Sequence, residues 1–219
     1  MVAAPKKPEI DHRTIKLLVG LIAICLPILT SWLAHPARLT SVSASYFAGD
    51  WPRSIFIGFL FAISAFLAAY NGHSTSEMIC SKVAAIAAFL IAMFPCGCDG
   101  HPQIVAGVHY TAAAVMFLVL TFFCRQFYRR AMGKGQGHAR VRGFVYAICG
   151  AIILLSIALL ALNGMLHFKF SERHTGFVFW CEAAGLIAFG VSWLTASHAL
   201  PLINASNERF SPLRANNPP

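Results

Sequence analysis

The sequence predicts an all-α membrane protein, a six-transmembrane-helix bundle with both termini cytoplasmic. Three observations predict it. Six apolar runs are each long enough to cross a hydrocarbon core ~30 Å thick, which takes about 20 helical residues. Of the 219 residues, 58% are hydrophobic and only 11% charged, with a mean hydropathy of +0.66; a soluble domain carries about 25% charged residues. Lys and Arg also collect on alternate connections between the runs, as the positive-inside rule requires of a multi-pass protein.

The first run covers 15–34 and stops before Pro36. Lys6, Lys7, Arg13 and Lys16 precede it as they would a signal peptide. The run is too long for a signal h-region, and the small-residue site near Ala44 lies well beyond its end, so it reads as a retained span. The next runs are 54–71, 78–94 (stopped by Pro95), 105–124, 144–162 and 177–199 (stopped by Pro201). Backbone groups in lipid must pair within the protein, which leaves helices or a closed barrel. Barrel strands alternate in polarity, and 151–162 does not. Residues 1–14 are then a cytoplasmic segment, 15–200 the transmembrane domain and 201–219 a disordered cytoplasmic tail. Asn71-Gly72 and Asn163-Gly164 read as helix C-caps. Ala84-Ala-Ile-Ala-Ala88 and Ala183-Ala-Gly185 are small enough to let helices approach closely. Trp32, Trp51, Trp180 and Trp193 fall near span ends, where interfacial anchors sit.

Charge orients the bundle. Thirteen Lys and Arg fall on the N-terminus, the 2–3 and 4–5 connections and the C-terminus, and four on the other side. Six of the thirteen lie in 125–142, read as a cytoplasmic basic loop. The net charge of +9 is thus a topology signal. No aromatic-basic RNA motif or helix-turn-helix accompanies it, so nucleic acid is not an expected partner. The expected partners are membrane lipids and a membrane-protein partner or second copy of the chain, in a bacterial-type inner membrane.

Ionisable residues inside spans are costly and usually have a purpose. His109 and Glu182 each lie about six residues past the start of a span, ~9 Å deep on the extracytoplasmic side. Matched depth predicts that they share one cavity. Arg53, at the start of the second span, has an arm long enough to reach Glu182, with Asp50 steadying its guanidinium. The 1–2 loop adds Ser43 and Tyr46 to this expected ligand site, and the 5–6 loop brings His167, Glu172 and His174 to the same side.

Cys96, Cys98, Asp99, His101 and His109 are zinc- or copper-ligand types close in sequence. Their C-x-C-D-x-H spacing matches no strong zinc pattern, and no H-E-x-x-H occurs. In an oxidising compartment Cys96 and Cys98 could instead pair with each other, or one of them with Cys181. Ser43 or Ser45 beside a histidine would suit a hydrolase, but no G-x-S-x-G elbow is present. Only His109 lies clearly within a span, which argues against a bis-histidine haem. Three functional readings follow: a polar cavity that handles a lipid or small molecule, a metal-dependent membrane hydrolase, and a non-catalytic subunit of a membrane complex.

Several short motifs add a resemblance: Ser43-Ala-Ser-Tyr46, Arg53-Ser-Ile-Phe-Ile-Gly58, Phe94-Pro95, His109, Arg142 with Tyr146 and Cys149-Gly150, Phe179-Trp-Cys-Glu182 and Phe189-Gly-Val-Ser-Trp193. In their order and placement the chain resembles a family of uncharacterised bacterial six-helix membrane proteins, which implies the fold and no activity. A more distant likeness is to the membrane hydrolases related to alkaline ceramidases and adiponectin receptors, which implies zinc held near one membrane face. The chain departs from them in having six spans rather than seven and no terminal H-x-x-x-H pair. Lysosomal-modulator and GPI-remodelling six-span proteins are similar in architecture.

The charge asymmetry generates a topology test. Reporters fused at Gly133 and at the C-terminus are expected to read cytoplasmic, and one at Gly100 external. A cytoplasmic signal at Gly100 would invert the orientation and move the expected site to the other face.

Overall fold

The computed structural model describes residues 11–135, 137–165 and 176–204. The expectations for 1–10, for 205–219 and for the 5–6 loop with His167, Glu172 and His174 lie outside the described residues. Among the described residues the chain is helical throughout, without strands. Six helices are long and apolar enough to cross a membrane: α1 (His12–Leu33), α2 (Asp50–Ala69), α3 (Thr75–Met93), α4 (Val108–Gly133), α5 (Gly137–Met165) and α6 (Phe177–Ser197). Each packs on the next in sequence, and α6 returns to α1, so the six close into a ring. A short 3₁₀ turn, Ser43–Tyr46, lies between α1 and α2 and packs on α2.

Side-chain size sets the closest approach, where α6 meets α1. A methyl group at Gly190 would stand 2.7 Å from the Gly20 carbonyl oxygen, and one at Gly20 would stand 2.9 Å from the Gly190 carbonyl oxygen. Neither backbone can yield, so both positions require glycine. The interior beside this seam is aromatic. Trp193 is fully buried among Tyr70, Phe123, Phe127 and Phe189. It is a core residue, not the interfacial anchor its place near a span end suggested; Trp32, Trp51 and Trp180 are about 70% exposed, as anchors are.

Several boundaries differ from expectation, among them the start of α4, which is Val108 and not 105. The basic segment 125–142 is not a loop: α4 runs on to Gly133 and α5 starts at Gly137. Phe123, Phe127 and Ala131 recur every fourth residue and are buried, so one face of the extension packs on the core, while Arg125 and Arg129 stay exposed. Arg and Ala are also good helix formers. A further difference is Asn163-Gly164, which does not cap α5, since the helix continues through it to Met165. Asn71-Gly72 does not cap α2 either: the helix ends at Ala69 with Tyr70 as its extended C-cap, and Gly72 lies beyond it at φ +66°, hard against Glu77.

At the end opposite the 3₁₀ turn, Glu77 is 2% exposed and ion-paired with Arg130 of the α4 extension. It also accepts the His73 backbone N–H at 3.0 Å. Desolvation holds the His73 imidazole below its ordinary pKa, and the cation bonded to the Glu77 carboxylate is Arg130. Lys16, likewise buried, lies over the Tyr70 and Phe127 rings at 5.5 and 5.3 Å.

Two substitutions test these contacts. Gly190→Ala overpacks the α1–α6 seam and is expected to cost about 1–3 kcal/mol; an unchanged melting temperature in detergent would show that the seam is looser than described. Arg130→Met leaves Glu77 unpaired in the interior and is expected to cost about 3–5 kcal/mol, with Glu77→Gln in the same chain recovering part of the loss.

Candidate functional site

Where α3 ends, Pro95 has no N–H and the last carbonyls of the helix need donors from elsewhere. One of them, the Phe94 carbonyl, is met by His109 Nδ1 at 2.8 Å, one residue into α4. The ring is 2% exposed. Its other nitrogen, Nε2, lies 3.1 Å from Ser43 Oγ. Ser43 Oγ in turn lies 3.3 Å from Glu182 Oε1. The second carboxyl oxygen accepts the backbone N–H groups of Val42 at 2.7 Å and Ser43 at 3.2 Å. A carboxyl group on α6 thereby pins the start of the 3₁₀ turn and holds a serine against a histidine of α4.

The surrounding loops are tied to the same frame. The Phe179 N–H, one of the unpaired donors in the first turn of α6, reaches the Thr40 carbonyl at 3.0 Å. Thr40 Oγ1 donates to Asp99 at 2.8 Å. Tyr110 donates to the Gly97 carbonyl at 3.2 Å, fixing the loop between the two cysteines. Beside these residues opens a cavity of about 580 Å³ between α4, α5 and α6. Its described lining includes Ser43, His109 and Glu182 together with Ala113, Phe117, Ile157 and Leu160; His109, Ala113 and Phe117 follow one another along one face of α4. Glu182 is half-buried, with the cavity beside it.

The hydrogen inventory of the chain is informative. With Nδ1 donating to a carbonyl, Nε2 is either a bare acceptor or a second donor. The Ser43 hydroxyl has a single proton and faces acceptors on both sides. Both bonds are made together only when one further proton sits on Glu182 or on His109. The arrangement Glu–COOH···Ser–OH···His converts to Glu–COO⁻···HO–Ser···H–His⁺ by moving a proton at each bond. Ser43 can thus pass a proton between the two ionisable residues that bracket it.

Sequence expectation and geometry agree for part of the set. Ser43, His109 and Glu182 come together, and the two ionisable groups are joined within two hydrogen bonds. The joint is Ser43, not Arg53. Arg53 is exposed and turned the other way, with Nε donating to the Tyr46 carbonyl and its guanidinium over the Tyr46 ring at 5.2 Å. From the first turn of α2, bonding a residue of its own loop is the shorter reach. Asp50 makes no ion pair with Arg53; it lies in the first turn of α2, where a carboxylate favours the helix dipole. Tyr46, Asp50 and Arg53 do not line the cavity.

The expected metal ligands do not converge either. Cys96 and Cys98 are joined as a disulfide, and Cys181 is free. Asp99 is taken by Thr40, His101 stacks on Phe47 at 4.0 Å, and His109 is held between Phe94 and Ser43. Among the described residues no group of three His, Cys, Asp or Glu is placed to hold a metal ion. Sequence reading missed the Phe94 carbonyl, the Val42 N–H, Phe117 and Asn163 as parts of this region. Only the first had a visible signal, the proline that ends α3.

Compared with protein-family models, curated proteins and solved structures, the chain matches none of them.

The Phe94 contact fixes the histidine tautomer, which ¹⁵N spectroscopy reads directly. His109 is expected to carry a proton on Nδ1, as the neutral Nδ1–H tautomer or as imidazolium. A neutral ring protonated on Nε2 alone would contradict the geometry of the whole chain.

Proposed function

We propose that this multi-pass protein binds an amphiphilic small molecule or single lipid chain in the cavity between α4, α5 and α6, from the extracytoplasmic side of a bacterial-type inner membrane. One observation carries the reading: a polar chain of Glu182, Ser43 and His109 borders a cavity whose described lining also includes the apolar side chains of Ala113, Phe117, Ile157 and Leu160. About 580 Å³ falls within the ~300–1,000 Å³ typical of ligand pockets. An amphiphile matches both kinds of lining at once, with its polar group on the Glu182–Ser43–His109 chain and its tail along Phe117, Ile157 and Leu160. The thirteen-to-four basic asymmetry supports the orientation. The likeness to uncharacterised bacterial six-helix proteins stands on the quoted motifs and adds no activity.

Binding is favoured over Ser43-dependent hydrolysis by the backbone. A serine nucleophile needs N–H groups free to receive an oxyanion. The Val42 and Ser43 N–H groups, the nearest in sequence, already bond Glu182. The metal-hydrolase reading finds no converging ligands among the described residues.

The test is to fill the cavity. Ala113 lines it from α4 and is half-buried. Ala113→Phe is expected to leave the bundle folded and to remove amphiphiles that co-purify with the wild-type protein, measured by native mass spectrometry. Equal retention by both proteins would contradict the proposal.

A further inference from the structure

We propose that the ligand of this cavity carries a protonated amine, and that Glu182 receives it; the inference rests on the cavity reading above. The first argument is charge. Glu182 is the one acidic side chain on the described lining, and no Lys or Arg is on it. The guanidinium that could have balanced an anion, Arg53, is held outside on Tyr46. A phosphate or carboxylate headgroup would lie beside the Glu182 carboxyl with no Lys or Arg on the described lining to offset it, and a proton carried by His109 Nε2 is already turned to Ser43; like charges in a poorly solvated site repel strongly.

The second argument is hydrogen-bond capacity. A carboxylate has about four lone-pair sites and only accepts. Glu182 Oε2 is occupied by two backbone N–H groups, whereas Oε1 holds a single hydroxyl contact at 3.3 Å. Oε1 therefore has capacity for a further donor, and an ammonium offers three N–H donors and no acceptor. The third argument is the aromatic lining. Phe117, Tyr110 and Phe177 all border the cavity, and ring faces attract cations and not anions. Acceptor, aromatic faces and hydrocarbon wall together describe a single-chain amphiphile with a primary ammonium head.

The test uses three water-soluble probes of one chain length: octylammonium, octanol and octyl phosphate. Their binding to the full chain, purified in an uncharged detergent at pH 7, is measured by calorimetry. Octylammonium is expected to bind about tenfold tighter than octanol, with octyl phosphate the weakest. Glu182→Gln keeps an oxygen for the Val42 and Ser43 N–H groups and is expected to bring octylammonium down to the affinity of octanol. Phe117→Leu, which preserves an apolar wall, is expected to weaken octylammonium several-fold more than octanol. Octyl phosphate binding as tightly as octylammonium would overturn the inference while leaving the cavity reading in place, as would equal binding of octylammonium and octanol to the wild type. Binding of none of the three would overturn both. The wild-type comparison decides the matter even if a variant fails to fold.

Discussion

A carboxyl group inside a helical bundle that faces lipid must find hydrogen-bond partners within the protein, because hydrocarbon supplies none. Glu182 meets this constraint by drawing in the chain between α1 and α2. Its bonds to the Val42 and Ser43 N–H groups fold that segment into the mouth of the bundle. The segment brings Ser43 to His109, and His109 reaches back to the end of α3. The Thr40 carbonyl closes onto the first turn of α6 from the other side. Segments that are distant in sequence thus meet because a single side chain needs acceptors filled.

The bundle holds a second acidic residue, Glu77, and it is satisfied in a different way. There the partner is a full cation, Arg130, supported by the His73 backbone and crowded by Gly72. Charge is balanced on the spot and the surroundings are packed aromatics. Glu182 is satisfied by dipoles alone, with N–H and hydroxyl groups and no cation bonded to it, and it borders open space. Carboxylates that bond a cation are usually structural, and removing one partner is costly. A carboxylate held only by dipoles beside a cavity keeps capacity for a charged visitor. This contrast separates the stabilising end of the protein from the end we assign to ligand.

Much of the fold was legible because its determinants are linear in sequence. Span length and proline stops need no knowledge of tertiary contacts, and all six spans fall where the apolar runs do. The continuation of α4 and α5 through the basic segment was hidden because basic residues dominate 125–142, while the packing face every fourth residue is sparse. Depth arithmetic paired His109 with Glu182, but half of its premise fails: 103–107 are not helical, so His109 stands one residue into α4 while Glu182 stands five residues into α6. It could not say what joins them. Arg53 has the reach to contact Glu182, but reach carries no direction, and a carbonyl in its own loop was nearer. Trp193 shows the same limit: its distance from the span end suits an anchor, while its helix face points into the core.

The central claim is that an amphiphile occupies the space beside Glu182, Ser43 and His109. Photolabelling with an alkyl amine bearing a diazirine in its chain tests this most directly, because the label marks the wall it touches. The account predicts labelling at Ala113, Phe117, Ile157 and Leu160, abolished by Ala113→Phe and reduced by excess octylammonium. Labelling confined to outward residues such as Leu118 and Leu155, unchanged by either treatment, would mean that the probe met only the lipid-facing surface, and would contradict it.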